Sequence, residues 1–544
     1  MKVTGKKQLS LGTFQPLNMG STGTTDVLAQ LRHIQRPLFL ATGIAGDSAS
    51  LQTGTAYSGS VPGAPGSHFS GMILPYPLES LGDSQFCIDH NIRFPYVGGS
   101  MAKGISSISM VQAFGHAGML GFFGAAGLSL EVVEKAIDTL GQGAFPYGFN
   151  LIHSPAEPEL EKALVELYLR RDVHLIEASA FLSLTLSVVR YRTHGIYRNS
   201  EGNIVTPNRV IAKISREEVA ARFFAPPPEK YLQQLVAAGD LTAAQAEMAA
   251  EIPVAQDVTV EADSGGHTDN RPALSLFPTI LAQKEHFQKK HNYRHKLRVG
   301  LGGGISTPAS AAAAFSMGAA YLVTGSVNQA CIESGTCDDV RKLLAETRQA
   351  DITMAPSGDM FEMGVKVQVV KRGTMFSIRA HKLYELYRAY ASMDDLPAVE
   401  REKLEKTFFR IPLETIWEQT RSYFSVRDPR QVEKAESDPK YKMALVFRWY
   451  LGQSPVWANN GDASRKIDYQ IWCGPSMGAF NEWTRESFLE DVTQRKVVTV
   501  AFNILFGAAV LLRANQLKQQ DNRFQFDSSM LAPLKIEEIE EFLS

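Results

Sequence analysis

From Phe94 onward the chain alternates between two periods, and this alternation restricts the fold more than any other feature. Short segments rich in Val, Ile, Phe or Gly take turns with stretches whose apolar residues recur at helical spacing. Strands place side chains at a period of 2 and helices at 3.6, so each switch marks a change of element. The strand-like segments are 95–102 (PYVGGSMA), 118–124, 146–152, 172–180, 209–215, 257–266, 297–305 and 319–326. Helical patterns such as SLEVVEKAIDTL, EPELEKALVELYLRR and STPASAAAAFSMGA lie between them. Eight such units within about 250 residues match a (β/α)8 barrel, whereas an open doubly wound sheet seldom repeats so regularly. The expected class is α/β: a (β/α)8 TIM barrel with inserted segments and a C-terminal mostly helical region.

The barrel is expected over 94–350. Two stretches exceed ordinary barrel loops. One, near 193–208, carries a turn signal at Glu201-Gly202-Asn203 that predicts a hairpin; the other, near 225–253, predicts inserted helices. Residues 1–93, rich in Gly, Ser and Pro, read as an N-terminal segment or small subdomain. Residues 351–544 read as a separate helical region, with helices expected in REKLEKTFF and NEWTRESFLEDVTQRKV.

A net charge of −2 gives no global field to recruit nucleic acid or an anionic membrane. Cys87, Cys331, Cys337 and Cys473 are too few and too scattered for a disulfide framework, and with no CxxC pair no metal site is expected. The basic start MKVTGKKQLS lacks the apolar run of a signal peptide. VVTVAFNILFGAAVLL, 497–512, falls short of the roughly 20 residues needed to cross a bilayer and carries Asn503, so it reads as a buried helix rather than a membrane span. A reducing cytoplasm is the expected compartment.

In a barrel, chemistry collects at the C-terminal ends of the strands. Those ends here are GGSMAKG after the first strand, Asn150 in the third and Lys213 in the fifth. SGGH follows the sixth, GGGIS the seventh and TGS the eighth. The last two are Gly-rich turns leading into helices, a pattern that admits backbone N–H groups to a phosphate. One such turn alone would read as a tight turn only. Two adjacent ones, after strands seven and eight, predict a phosphate site. Gly265-Gly266-His267 lies on the same face, with bare backbone beside a proton carrier.

PYVGGSMAKGIS, Asn150, SGGHTD, GLGGGIS and LVTGS resemble the flavin-dependent barrels of nitronate monooxygenases and bacterial FMN enoyl reductases. LGDSQF, MFEMGVKVQVVKRGTMFSIRAHKLYELY and DYQIWCGPSMGAFNEW narrow the resemblance to the PfaD-type stand-alone enoyl reductases of polyunsaturated fatty acid and trans-acyltransferase polyketide synthases. It runs from about residue 78 to 510. It implies bound FMN, NADPH as hydride donor, and an enoyl thioester on an acyl carrier protein as substrate. It implies further that Gly99, Met101 and Ala102 lie against the flavin ring, with Gly265 and Gly266 leaving room for ring and substrate. Asn150 would meet the pyrimidine edge and Lys213 the charge near N1. Gly303, Gly304, Gly325 and Ser326 would hold the phosphate. His267 would serve as catalytic donor to the enolate or its α-carbon, a task suited to a group of pKa near 6.5. His153, His174 and His194 have no such setting.

GPSMG, 474–478, spells a hydrolase elbow, but no histidine follows His381 to complete a triad. The basic run 284–298 precedes the seventh strand and is expected as a solvated face at the barrel bottom. A carrier-docking surface is expected instead in KVQVVKRGTMFSIRAHK, through Lys366, Lys371, Arg372, Arg379 and Lys382. Two alternatives stand beside enoyl reduction: a nitronate monooxygenase-type oxidase and a non-catalytic subunit of a synthase. Chain length of the acyl group, NADPH against NADH, and oligomeric state are not legible.

Overall fold

The computed structural model describes residues 12–16, 27–42, 49–52, 54–57, 67–155, 157–520 and 526–543. The basic start of the chain and residues 58–66 of the Gly/Ser/Pro-rich stretch lie outside them. All eight expected strands form, and they close into one parallel barrel. They are β1 (Tyr96–Gly98), β2 (Leu120–Phe123), β3 (Tyr147–Ile152), β4 (Leu175–Ser179), β5 (Arg209–Ile214), β6 (Asp257–Glu261), β7 (Arg298–Gly302) and β8 (Leu322–Thr324). Neighbours in sequence are neighbours in space, and β8 closes on β1, with Leu322 opposite Tyr96. The hairpin Tyr197–Arg198/Ile204–Val205 and the helices Glu229–Ala237 and Ala243–Ala249 fill the two insertions.

The bottom of the barrel is plugged. Phe86 stacks on Tyr321 at 4.0 Å between centroids, and Val97, Leu120, Phe122, Leu175 and Ile211 pack around them. Below this core, Asp257 and Arg298 open their strands and pair with each other at 2.6 Å; Arg298 also reaches Asp89 at 2.6 Å, and His90 reaches Asp257 at 2.8 Å. Burial penalises the Asp257 carboxylate, but the Arg298 charge and His90 outweigh this and hold its pKa well below the usual range. Arg298 therefore leaves the solvated basic face expected for 284–298, because its guanidinium neutralises this buried acid. With the lower end sealed, ligands have only the upper end to enter.

By internal packing the chain divides into two compact units: 85–306 with 319–498, and 1–84 with 307–318 and 499–544. The barrel unit includes most of the chain beyond residue 350. Ile352–Pro356 and Lys366–Val370 pair antiparallel, and the short strand Gly266–His267 joins their sheet. The helices Phe376–Ala389, Leu413–Arg427 and Pro439–Asn460 then pack around Phe361, Phe376, Phe409, Phe447 and Tyr450. Helix Ser476–Trp483 covers only the start of the expected NEWTRESFLEDVTQRKV helix; two 3-10 turns continue it.

The other unit holds a five-stranded antiparallel sheet whose strands lie between residues 12 and 73. Helix Val497–Gln520 is long and apolar enough to cross a membrane, yet 72% of its apolar window is buried in the structure. Arg513 within it is fully buried and donates to the carbonyls of Leu31 (3.1 Å), His33 (2.6 Å) and Arg36 (2.8 Å). A helix that carries such a pinned arginine is a core element, in keeping with the reading as a buried helix.

Candidate active site

At the upper end of the barrel lies a cavity of about 900 Å³. Its wall contains every residue expected from the sequence to serve catalysis or the cofactor: Gly99, Met101, Ala102, Asn150, Lys213, Gly265, Gly266, His267, Gly303, Gly304, Gly325 and Ser326. Chain positions 99 to 326 converge because each ends a barrel strand or follows one.

The floor is a polar cluster. Glu177, fully buried in β4, accepts from Ser100 N–H at 2.9 Å and from the Ser100 hydroxyl. Its Oε1 has no hydrogen-bond partner in the described structure. Lys213 sits 3.6 Å from Glu177 and 3.4 Å from Glu261. Burial opposes the Lys213 charge, but the two carboxylates overcome it and raise its pKa; burial raises that of Glu261. The Lys213 charge is thus already met by protein, which weakens the electrostatic role expected for it. Asn150 directs its amide nitrogen at Ser100 Oγ (3.0 Å), Ser179 Oγ (3.1 Å) and the Glu177 carbonyl (3.3 Å). Its Oδ1 is the group left to accept from a ligand. Loop 99–106 is fixed from within: Ser106 Oγ accepts from Met101 N–H (2.9 Å) and donates to the Gly99 carbonyl (3.0 Å).

On the opposite side, Gly304 and Gly325 face open space, where an added Cβ would meet nothing within 4 Å. Gly303 and Gly304 both have φ of +78°, the left-handed region that glycine tolerates best. Ser326 Oγ accepts from Gly474 N–H at 3.0 Å and also hydrogen-bonds with the Cys473 side chain, which ties this turn to the 472–476 loop. Bare backbone and an uncapped buried carboxylate oxygen are features that fit a flavin with a phosphate tail.

Gly265 lines the cavity and also touches a second loop of the protein. A Cβ there would lie 2.8 Å from the Cys473 backbone, and one on Gly474 would lie 2.9 Å from Gly265 N. Two glycines meet so that two loops can touch. Ser476 of GPSMG and the preceding Trp472 therefore line the cavity. Burial pushes the Cys473 thiol up to about 12, so it stays protonated and inert.

His267, 27% exposed along its side chain, bonds through Nε2 to Asp359 Oδ2 at 3.0 Å. Asp359 is itself held by the Ser357 hydroxyl. Burial alone would lower the His267 pKa; the Asp359 charge and hydrogen bond, with Glu261 behind them, raise it instead.

Three comparisons bear on this site. A polyunsaturated fatty acid synthase subunit of Thraustochytrium sp. is 47% identical over 82% of this chain and 30% of its own length. The polyketide biosynthesis protein PksE of Bacillus subtilis is 46% identical over 80% of this chain and 57% of its own length. The chain thus spans between about a third and just over half of these curated relatives. The enoyl reductase domain of MlnA from the macrolactin cluster of Bacillus amyloliquefaciens superposes with a TM-score of 0.77 at 37% identity, over 81% of this chain and all of that domain. The chain belongs to the PfaD-type family. Residues 390–469 also match the family model for the inserted helical domain of [acyl-carrier-protein] S-malonyltransferase. That segment holds helices Leu413–Arg427 and Pro439–Asn460, which supply Tyr423, Arg427, Arg448 and Trp449 to the cavity wall.

In this PfaD-type chain, sequence reasoning missed Glu177, Glu261, Asp359 and the helical-segment residues. Glu177 did leave a signal, a lone acid inside the apolar strand LIEAS. Asp359 left none, because it meets His267 across 92 residues. His153, left without a role, also lines the cavity, stacked on Phe181 at 5.1 Å, and burial lowers its pKa. The expected docking segment is only partly free. Arg379 is buried on Asp468, Lys382 bonds Glu400 at 2.9 Å, and Arg372 lies 3.5 Å from Glu346. Lys366 and Lys371 are exposed.

Proposed function

We propose that the chain is a trans-acting enoyl reductase that saturates the 2,3 double bond of an acyl-carrier-bound enoyl thioester, in polyunsaturated fatty acid or polyketide biosynthesis, with FMN as bound cofactor and NADPH as reductant. The observation that carries the reading is the full coverage of the MlnA enoyl reductase domain, with the expected residues gathered on one cavity. FMN, when bound, supplies the hydride for the β-carbon. Gly303, Gly304, Gly325 and Ser326 would hold its phosphate, and Gly99, Met101, Ala102 and Asn150 its ring.

The chain's own chemistry is proton supply. Reduction at the β-carbon leaves negative charge on the thioester oxygen, which calls for a donor. Asp359 keeps His267 protonated above its ordinary range, and with Nε2 engaged there, Nδ1 is the nitrogen left to donate. The lower end is plugged and the cavity opens upward, so a thioester arm would enter from the helical segment's side.

Two measurements test this. Purified protein should show the absorption of bound flavin, and Gly325→Asp, which sets a carboxylate where the phosphate would lie, should purify largely without it. NADPH oxidation under anaerobic conditions should depend on a crotonyl thioester. Turnover seen only with a nitronate and O2 would identify an oxidase instead, and a colourless protein would point to a non-catalytic subunit.

A further inference from the structure

Three cationic side chains of the cavity wall are used neither for the flavin nor for the proton: Lys103, Arg427 and Arg448. Lys103 stands just after β1 and reaches Gly127, after β2, with a long bond of 3.5 Å to its carbonyl. Arg427 closes helix Leu413–Arg427 and sets both Nε (3.2 Å) and Nη2 (3.0 Å) on a single oxygen of Glu157, which lies beyond β3. Its guanidinium packs 5.4 Å from the Tyr423 ring centroid. Arg448 bonds the Gly358 carbonyl at 2.9 Å and Glu362 at 3.2 Å.

Lys103 and Arg427 line the same cavity, close enough for their charges to act on each other. Burial first, and then the Arg427 charge, lower the Lys103 pKa, while Glu157 opposes. Lys103 also has φ of +60°, a left-handed conformation rare for a residue with a Cβ. It is held there by Lys103 N–H to the Ala126 carbonyl (2.8 Å) and by Asn459 Nδ2 to the Lys103 carbonyl (3.3 Å). A protein that fixes a lysine in this backbone, beside a second cation and with one long hydrogen bond, leaves excess positive charge facing the cavity. Anions with several acceptor oxygens are the ligands that such a pair suits.

We propose that Lys103 and Arg427 form a second phosphate-binding site at the cavity mouth, separate from the glycine loops. The separation follows from topology. The glycine loops come after β7 and β8, whereas Gly127 and Glu157 come after β2 and β3; in an eight-stranded ring β3 lies opposite β7. Resting on the enoyl reductase reading, the ligand is a phosphate ester of one of the two reactants: the phosphopantetheine arm of the carrier-bound thioester, or the 2′-phosphate of NADPH.

The test is calorimetric titration of the flavin-loaded protein with matched pairs, 4′-phosphopantetheine against pantetheine and NADP+ against NAD+. No turnover is involved. Wild-type protein should prefer the phosphorylated member of one pair by roughly tenfold or more, as charge-assisted bonds to phosphate imply. The pair that shows the preference names the source. The preference should weaken with added salt, persist in Lys103→Arg and vanish in Lys103→Met and Arg427→Gln, with the phosphate-free member unaffected. Equal binding within both pairs by wild-type protein, a measurement that needs no variant, overturns the proposal. So does a preference that survives both neutral variants. Because affinity is read here and turnover in the crotonyl assay, failure of this site and failure of the enoyl reductase reading are told apart.

Discussion

His267 shows how one contact sets the chemistry of a residue. Its pKa is raised by Asp359 despite burial. A raised pKa keeps the imidazolium to higher pH, so a step that needs this proton is supported below that pKa and declines as pH rises through it. Asp359→Asn removes the charge and keeps the shape. The expected result is a basic limb of the kcat/KM profile moved to lower pH, with flavin content unchanged. His267→Ala should retain flavin and cut enoyl reduction by about 10²–10⁴-fold, the usual range for a lost general acid. A wild-type profile in Asp359→Asn, or wild-type turnover in His267→Ala, would remove the donor role. Histidine was legible as a candidate because it follows two glycines at a strand end; its protonation state was not, since Asp359 belongs to a different loop.

Among the elements, the loop after β6 packs directly on a partner more than 200 residues along the chain. Gly265 touches the Cys473 backbone, and Gly474 N–H donates to Ser326, so 264–267, 325–326 and 472–476 form one connected wall. Gly265→Ala must push the Cys473 segment away, because backbone 2.8 Å from a new Cβ has no flexible end to swing aside. A cost of about 1–3 kcal/mol, typical of overpacking, is expected as a lowered melting temperature, together with slower enoyl reduction. Gly325→Ala is the control: the space above it is open, so no neighbouring segment is displaced and stability should fall less than in Gly265→Ala. A stable, active Gly265→Ala would show that the two loops separate at little cost.

At the scale of the whole molecule, the barrel and the helical segment share one compact unit. The helical segment contains its own buried charge centre. Asp468, fully buried, receives Arg379, Arg410 at 3.2 Å, Arg465 at 3.3 Å and the Tyr450 hydroxyl at 2.7 Å. Removing one member of a buried ion network leaves uncompensated charge, at about 3–5 kcal/mol. Asp468→Ala should lower the melting temperature far more than Arg410→Ala, whose side chain is 35% exposed. Similar shifts in the two variants would argue against a shared centre. This network also explains why Arg379 is withdrawn from the surface on which a carrier protein was expected to dock.

What the sequence determined by itself was local or periodic. Eight changes of period specified eight strands, and the barrel rule that chemistry gathers at strand ends placed twelve residues on one cavity ahead of any structure. Glycine doublets marked where backbone must be bare. The tertiary structure alone decided what fills those gaps and which charges meet. It put the Cys473 backbone against Gly265, Asp359 beside His267, two carboxylates around Lys213, and Arg298 and Arg379 on buried acids. Period and turn chemistry act over a few residues and are written along the chain. An ion pair or a backbone contact depends on a distance between segments far apart in that chain, and the distance exists only once the barrel has closed.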